Sequence, residues 1–361
     1  MPEPRIVTYS QLSTFRDCRK KAQWRYEEQI VPTRWESDAK TMGSSFALAA
    51  EVFFKSDGDL EAVNEVLSWR ETAAPMHAFA LASERIIARE GIRAYASHWA
   101  GEPIKPLGVE VAFEVPIRNP RNKLSKHPFR LAGKIDRYTE IDGELWVVEQ
   151  KSTGGLDSGY LDRLWTSFQS EIYVEALELM LQRHVAGTIF DLIERCELKR
   201  SQGETEEEFV VRRDSLLARS KTGKTTATRW VMESEEDFSY RVAQWYLDRP
   251  RFLRQHIVVG KDRREYLRRE LWELCREYFW ALKEGYFSSN PTHCFHWNRP
   301  CDYWRLCLTN GSEVVRQNEY RVEKPHRELL PAWNRETHHA NRASAAAPPA
   351  VGTAANLASD F

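Results

Sequence analysis

Alternating apolar and polar positions predict two adjoining strands over residues 129–153. Both runs are rich in residues that favour strands, and they flank Asp142-Gly143. This dipeptide favours a type I′ turn, because both central residues of that turn need positive φ. If the two residues form the whole loop, the pairing register places Asp136 opposite Glu149, with Cβ atoms about 4.5–5.5 Å apart.

The rest of the hydrophobic pattern predicts an α/β fold with a mixed central β-sheet flanked by helices. Residues 107–117 alternate as a strand before the hairpin, and residues 185–193 form a short buried strand. A helix with an apolar stripe is predicted from about residue 161 to 182. Helical periodicity also covers residues 60–100 and 235–285. This order of elements is typical of helices packed on a mixed sheet.

Three residues outside the hairpin bear on function. Helical spacing predicts one helix over residues 8–30, with Cys18 inside it among basic side chains. Residues 43–54 read as the start of a buried helix, where Glu51 either finds a partner or points outward. Glu110 offers a further carboxylate near the hairpin, but we expect it to face solvent.

Composition narrows the class of protein. The chain has 361 residues, of which 42% are hydrophobic and 29% charged, as in globular proteins. A net charge of −1 means that any nucleic-acid surface must be local. The sequence has no apolar run of membrane-spanning length, and Met-Pro-Glu-Pro-Arg at its start has no secretory h-region, so we expect neither a membrane span nor a secretory leader. The six cysteines are sparse and unevenly spread, which favours a cytoplasmic protein.

The domain organisation follows from these patterns. We predict a single domain over residues 1–335, with a core at about 105–195. A helical, basic insertion is expected at about 197–285, and a cysteine-rich closure at 287–308. The Ala-, Pro- and Ser-rich residues 336–361 form a tail that we expect to be disordered.

The hairpin carries the most specific chemistry. Two facing carboxylates repel each other, and a divalent cation such as Mg²⁺ or Mn²⁺ relieves that repulsion. Lys151 follows Glu149 by two residues and so projects from the same face of its strand. Carboxylates, metal and ammonium together suit phosphodiester hydrolysis. Gln169 and Tyr173 share a helix face and can bind a phosphate or base. The alternatives are an exposed hairpin edge with scattered charges and an ordinary helix flank.

A second metal site is suggested near the end of the predicted domain. Three thiols occur within 14 residues of a turn-rich stretch: Cys294, Cys301 and Cys307. In a cytoplasmic protein such clustering favours a metal over a disulfide. Cys18 would complete a Cys₄ set that suits an iron–sulfur cluster or zinc and would staple the N- and C-terminal parts. His293 or His296 is the alternative fourth ligand, giving a zinc site.

These motifs, in this order, resemble the RecB-like branch of the PD-(D/E)xK nuclease superfamily over most of residues 8–308. The matching pieces are Ser10 to Cys18, Gly133-Lys-Ile-Asp136, Glu149-Gln-Lys151, Gln169-x3-Tyr173 and the cysteine trio. The resemblance implies a restriction-endonuclease-like core. The arrangement of cysteines that the resemblance implies looks like the iron–sulfur nucleases of the AddB and CRISPR-associated groups.

The resemblance also assigns roles to residues. It implies that Asp136 and Glu149 bind the catalytic metal, assisted by the Gln150 carbonyl, and that Lys151 is the catalytic lysine. It implies that Gln169 and Tyr173 form the helical motif near DNA. It further implies a [4Fe–4S] cluster, the ligands being Cys18, Cys294, Cys301 and Cys307.

Two departures from the family pattern matter. The family often has Gly-x3-His near its N-terminus, but here Gly43 is followed at that offset by Ala47. Glu51, four residues later, does fit the pattern as a metal ligand. The cysteine trio has spacing x6 and x5 where the family usually has x2 and x5, so zinc remains the alternative to a cluster.

The sequence therefore predicts a Mg²⁺- or Mn²⁺-dependent DNA exonuclease without a helicase motif. Its expected setting is DNA recombination, repair or phage DNA processing in the cytoplasm of a bacterial or phage-infected cell. Recombination or replication proteins are the expected partners, and no membrane is involved. The alternatives are a DNA-binding or assembly module with an impaired nuclease centre, and a zinc-stapled protein with an unrelated hydrolytic role.

Overall fold

The computed structural model describes residues 5–33, 38–73, 77–121, 129–296, 299–326 and 329. The chain forms two compact units, which we call the sheet unit and the cysteine unit. The sheet unit comprises the described residues up to 16 and residues 33–286. The cysteine unit comprises residues 17–32 and the described residues from 287 onward. The predicted tail, 336–361, lies outside the described residues.

The strands are β1 Arg5–Thr8, β2 Ile30–Pro32, β3 Gly108–Pro116, β4 Phe129–Ile141, β5 Glu144–Thr153, β6 Val185–Glu194, β7 Phe252–Val258, β8 Phe295–His296, β9 Arg299–Pro300 and β10 Tyr320–Val322. The helices are α1 Tyr9–Asp17, α2 Arg19–Ala22, α3 Asp38–Lys55, α4 Leu60–Ala73, α5 Ala78–His98, α6 Ser158–Leu164, α7 Phe168–Leu181, α8 Glu206–Arg219, α9 Glu235–Leu247, α10 Lys261–Glu284, α11 Trp304–Leu308 and α12 Glu313–Glu319. A π-helical turn spans Gln23–Glu27, and a 3₁₀ turn spans Pro291–His293.

The sheet unit is built on a mixed six-stranded sheet in the order β1-β4-β5-β6-β7, with β3 paired to β4. The β1–β4 and β5–β6 pairs are parallel, and the others are antiparallel. The predicted fold class, a mixed sheet flanked by helices, is confirmed. The wholly helical prediction for residues 235–285 was wrong, because β7 lies inside that stretch. The strand is only seven residues long and lies between two helices, so the helical period of its neighbours concealed it.

The predicted hairpin is present. Asp142 and Gly143 have φ of 53° and 83°, as a type I′ turn requires. The ladder runs from the turn to the pair Arg137–Val148 and stops there. Beyond that pair, β1 lies along the first half of β4 on the edge that β5 has left, because β3 occupies the other edge. The strands therefore fork one pair before the predicted Asp136–Glu149 pair.

Two predicted helices are each divided. The helix expected over 161–182 is α6 followed by α7, because Ser167 caps α7 by accepting the Ser170 N–H at 3.4 Å. The helix expected over 8–30 is interrupted at Cys18, whose φ of −158° and ψ of 110° are extended. Cys18 is therefore the residue that precedes α2, and not a residue inside a helix.

Helices α3, α4, α5 and α9 cover the sheet unit with a large apolar core. Its buried members include Phe46, Ile92 and Phe238. The cysteine unit has a smaller core: Trp24, Ile30, Tyr303, Leu306 and Tyr320. Its strands β2 and β10 pair antiparallel. Over the described residues, no helix is long and apolar enough to cross a membrane.

Candidate active site

The fork between β4 and β5 brings two carboxylates together in the sheet unit. Asp136 Oδ2 accepts the backbone N–H of Gln150 at 2.9 Å, across the point where the ladder has ended. Glu149 is only 2% exposed. Its Oε1 accepts a hydrogen bond from Lys151 Nζ at 2.5 Å, while its buried Oε2 has no partner among the described residues. A buried carboxylate oxygen without a donor is costly, which favours a cation beside it.

A hydrogen-bonded chain continues from the hairpin onto α7. Lys151 Nζ donates to Gln169 Oε1 at 3.1 Å, and Gln169 Nε2 donates to the Tyr173 hydroxyl at 3.1 Å. Both helical residues lie in the first two turns of α7, on the face turned to Lys151. The residues that sequence analysis singled out on the hairpin and on this helix are thus brought together.

Burial and mutual repulsion set the protonation of this centre. Burial, and then the charge of Asp136, raise the pKa of Glu149 to about 7. Burial also raises the pKa of Asp136, although Lys151 and the Gln150 N–H oppose it. Burial alone would lower the pKa of Lys151, but Glu149 and Asp136 raise it. Lys151 therefore stays protonated, and a divalent cation would relieve the remaining repulsion between the carboxyl groups.

A small cavity of about 30 Å³ beside Asp136 corrects one prediction. Its lining includes Ala47, Glu51 and Glu110. Glu110 was expected to face solvent, but its side chain is 11% exposed and pairs with Lys134. Its φ of 55° interrupts regular pairing of β3 opposite Asp136, so strand alternation did not predict its direction. Burial and then Glu51 raise the pKa of Glu110.

Lys134 supplies a fixed cation to this group of carboxylates. Burial would lower its pKa, but Glu110, Glu51 and Asp136 outweigh burial and raise it. Glu51 also pairs with Lys55 at 2.7 Å, one turn along α3. Within the described part of the chain, no three His, Cys, Asp or Glu side chains converge as a metal-binding group. The fit to a divalent cation rests on Asp136, Glu149 and its unpartnered oxygen.

Sequence analysis missed a buried network behind the site. Arg137 donates to Gln150 Oε1 at 2.6 Å and to Asp191 Oδ2 at 2.8 Å. Tyr95 donates to the same Asp191 oxygen, and burial with that charge raises its pKa to about 12. The Arg137 guanidinium lies 3.7 Å from the ring centre of Phe54. Arg137 thereby fixes the Gln150 side chain, which lies between Glu149 and Lys151 in β5.

One sequence signal pointed to that network. Asp191 is one of two acids in β6, the other being the terminal Glu194, and all ten residues of the strand are buried. A buried strand tolerates a carboxylate only with a partner, so its presence required a buried cation. The identity of that cation could not be read from the chain, because Arg137 is 54 residues away.

Comparison with known proteins identifies the family of this chain. The model of a family described as the PD-(D/E)XK nuclease superfamily matches residues 6–308. The chain belongs to this superfamily. Nucleases of the PD-(D/E)XK superfamily generally use divalent metals such as Mg²⁺. No curated protein gives a significant match.

One solved structure, described as "Putative exonuclease" from Eubacterium rectale, is similar at 11% identity and a TM-score of 0.39. The match covers 84% of this chain and 97% of the other. A likeness at this level carries no argument about the site.

The four cysteines of the predicted cluster all belong to the cysteine unit of this PD-(D/E)XK protein, and all are half-buried. The Cys301 N–H donates to the Cys294 carbonyl at 2.7 Å, and Trp24 Nε1 donates to Cys307 Sγ at 3.4 Å. Burial raises the pKa values of Cys301 and Cys307, and the charge of Cys18 adds to both shifts. His293, the alternative ligand, contacts Asn290 at 3.0 Å.

Proposed function

We propose that this PD-(D/E)XK protein is a Mg²⁺- or Mn²⁺-dependent DNA exonuclease of the RecB-like, iron–sulfur branch. The observation that carries the proposal is the continuous chain from Glu149 through Lys151 and Gln169 to Tyr173. That chain starts at a buried carboxylate with one unpartnered oxygen, beside Asp136.

The residues have distinct roles in this proposal. Asp136 and Glu149, with the Gln150 carbonyl and Glu51, would hold the metal, which when bound lowers the pKa of an attacking water and polarises the phosphate. The Lys151 ammonium, fixed by Glu149 and Gln169, stabilises negative charge that develops on the phosphate. Gln169 and Tyr173 would position the DNA strand by hydrogen bonds to a phosphate or base.

Binding of DNA by a chain of net charge −1 requires local basic surface. Residues 219–230 begin at the last residue of α8, none of whose residues is buried, and carry four basic and no acidic side chains. In this proposal the basic side chains of this segment contact the phosphates of DNA. The proposed setting is DNA recombination, repair or phage DNA processing in the cytoplasm, with recombination or replication proteins as partners.

The cysteine unit would carry a structural [4Fe–4S] cluster on Cys18 and the cysteine trio. Two observations support it: the shared compact unit, and the Trp24 N–H directed at Cys307 Sγ. Hydrogen bonds to ligating sulfurs are typical of such clusters. Zinc is the alternative metal. Iron, sulfide and zinc analysis of anaerobically purified protein decides between them, and absence of all three would contradict a metal in this unit.

The test of the nuclease is a cleavage assay on linear and circular DNA, single- and double-stranded, with Mg²⁺ or Mn²⁺. Asp136→Ala should lower the cleavage rate by at least about 10³-fold, because the catalytic metal would lose one of its ligands. Asp214→Ala, an exposed acid paired with Arg213, is the control and should cleave normally. Metal-dependent loss of linear DNA alone supports an exonuclease, and an Asp136→Ala rate equal to wild type would sink the assignment.

A second candidate is a DNA-binding or assembly module whose nuclease centre is impaired. The observation that favours it is Ala47, which lines the small cavity beside Asp136 where the family often carries histidine. It predicts DNA binding that survives Asp136→Ala, with no turnover by wild type under any divalent ion. Restoring activity with Ala47→His would then identify the missing ligand.

A further inference from the structure

A cavity of about 820 Å³ lies in the sheet unit, and neither Asp136 nor Glu149 of the candidate active site lines it. The end of β3, the start of β4, α7 and α10 bound it. Its volume falls in the range of small-molecule sites, about 300–1,000 Å³. Among its lining residues are Val115, Ile117 and Leu131, each at most 5% exposed, which give it an apolar floor.

Four arginines line the same cavity: Arg118, Arg121, Arg268 and Arg269. Arg268 is neutralised by Glu175 through two contacts of 2.7 and 2.9 Å. In the part of the chain that the structure describes, no carboxylate pairs with Arg118, Arg121 or Arg269. All three are exposed, and Glu265 is the one other acid in the lining. The cavity therefore presents spare guanidinium groups, which suit phosphate oxygens.

An exposed aromatic ring completes the lining. Tyr266 is 57% exposed, and the Arg263 guanidinium lies 5.0 Å from its ring centre. An aromatic face beside arginines is the usual surface for stacking a nucleobase in single-strand binding. The apolar floor and the ring thus suit a base, and the cations suit its phosphate.

The cavity is aligned with the active site. Asp136 lies five positions after Leu131 of the cavity along β4, which is about 17 Å of strand. Leu179 of the cavity lies ten positions after Gln169 along α7, which is about 15 Å of helix. The rings of Phe113 and Tyr173 meet at 5.6 Å between the two ends. Since a stacked strand advances 3.4 Å per nucleotide, this distance spans about five nucleotides.

We propose that this cavity binds a nucleotide of the substrate strand about five positions from the scissile phosphate. Arg118, Arg121 and Arg269 pair with its phosphates, and its base packs on the apolar floor and Tyr266. The proposal rests on the proposed nuclease function and adds to it a minimum length of single strand for full affinity.

The experiment compares a triple variant, Arg118→Ala, Arg121→Ala and Arg269→Ala, with a control triple of exposed arginines, Arg183→Ala, Arg276→Ala and Arg305→Ala. Both triples change the net charge equally, which separates a site from general electrostatics. Cleavage is measured on single-stranded oligonucleotides of 3 and about 12 nucleotides. Binding is measured separately by fluorescence anisotropy in an Asp136→Ala background over a range of salt concentrations.

The cavity triple should raise KM for the long oligonucleotide by about tenfold with kcat unchanged, and should leave the short one unaffected. It should also lower the slope of log K against log salt by about 2, because three phosphate contacts to a single strand are lost. Equal behaviour of the two triples would overturn the proposal. So would binding of dAMP, rather than the oligonucleotide, that depends on these arginines.

Failure of the nuclease assignment gives a different result. If wild type cleaves no DNA but the cavity triple still loses oligonucleotide affinity, the cavity site stands and the nuclease assignment falls. If wild type neither cleaves nor binds any oligonucleotide, both proposals are wrong.

Discussion

The sheet unit and the cysteine unit differ in what holds them together. The sheet unit buries a six-stranded sheet under four helices, and β6 alone contributes ten buried residues. Over the described residues, the core cluster of the cysteine unit has five buried side chains, and its strands have two or three residues. A core that small rarely stabilises a domain without a metal or a disulfide. The candidate active site lies in the first unit, and the proposed dependence on ligated thiols concerns the second.

The cysteines show the same contrast. Cys196 and Cys275, in the sheet unit, are buried, and burial raises both pKa values, that of Cys196 to about 11. Raised thiol pKa values keep these two residues as neutral packing groups. The four cysteines of the other unit are only half-buried, although burial raises the pKa values of Cys301 and Cys307 as well.

The largest expected effect is a loss of cleavage rate in the sheet unit without a loss of its stability. Lys151→Met should lower the cleavage rate by about 10²–10³-fold, the usual cost of removing one group that stabilises transition-state charge. The cleavage rate constant at saturating linear substrate measures this loss, and urea unfolding of the same variant measures its stability. Lys283→Met, an exposed lysine 4.6 Å from the Trp280 ring centre, is the matched control. Loss of cooperative unfolding in Lys151→Met would show a structural role instead.

The next effect is a dependence of the free energy of unfolding on pH in the metal-free protein. The folded-state pKa of Glu149, about 7, lies above its ordinary value of 4.5. Between these values the folded protein holds a proton that the unfolded chain releases. The stabilising contribution is therefore complete below pH 4.5 and is lost as the pH rises to about 7, by roughly 3 kcal/mol. Urea unfolding in EDTA at several pH values measures it.

Glu149→Gln should reduce that slope to the part that the raised pKa of Asp136 contributes, while Glu144→Gln, exposed on the same strand, should retain it in full. Mn²⁺ should stabilise wild type more at pH 8 than at pH 5.5, because it binds the ionised carboxylates. Identical pH profiles for the two variants would show that Glu149 does not titrate as its burial implies.

The smallest effect concerns the cysteine unit alone. Cys18→Ser should remove bound iron or zinc and speed tryptic cleavage within residues 287–326 by at least about tenfold, equivalent to about 1.4 kcal/mol of local unfolding. Mass spectrometry of the fragments locates the cuts. Cys196→Ser should leave the metal content and the cleavage pattern of that segment unchanged. Equal proteolysis of both variants, with metal retained, would remove Cys18 from the ligand set.

Several features could be predicted because their causes are local. The type I′ turn follows from Asp142-Gly143, and period-2 alternation in the flanking runs fixed the register as far as Arg137 and Val148. The helix spacing of Gln169 and Tyr173 likewise placed both side chains on one face of α7. The assignment of the cysteine cluster stays a prediction.

Other features depend on contacts that no local pattern contains. The fork beyond Arg137 is not a local property, since β1, more than 120 residues earlier in the chain, pairs with Phe129–Ala132 in the part of β4 that β5 does not reach. Glu110 turns inward because its backbone leaves the regular strand and Lys134 meets it, and Arg137 is buried because Asp191 lies in β6. By itself the sequence determined the hairpin, its two carboxylates and its lysine, since turn chemistry and alternation act over a few residues. Only the tertiary structure decided which oxygens have partners and which cations neutralise the rest, because burial and long-range pairing set those energies.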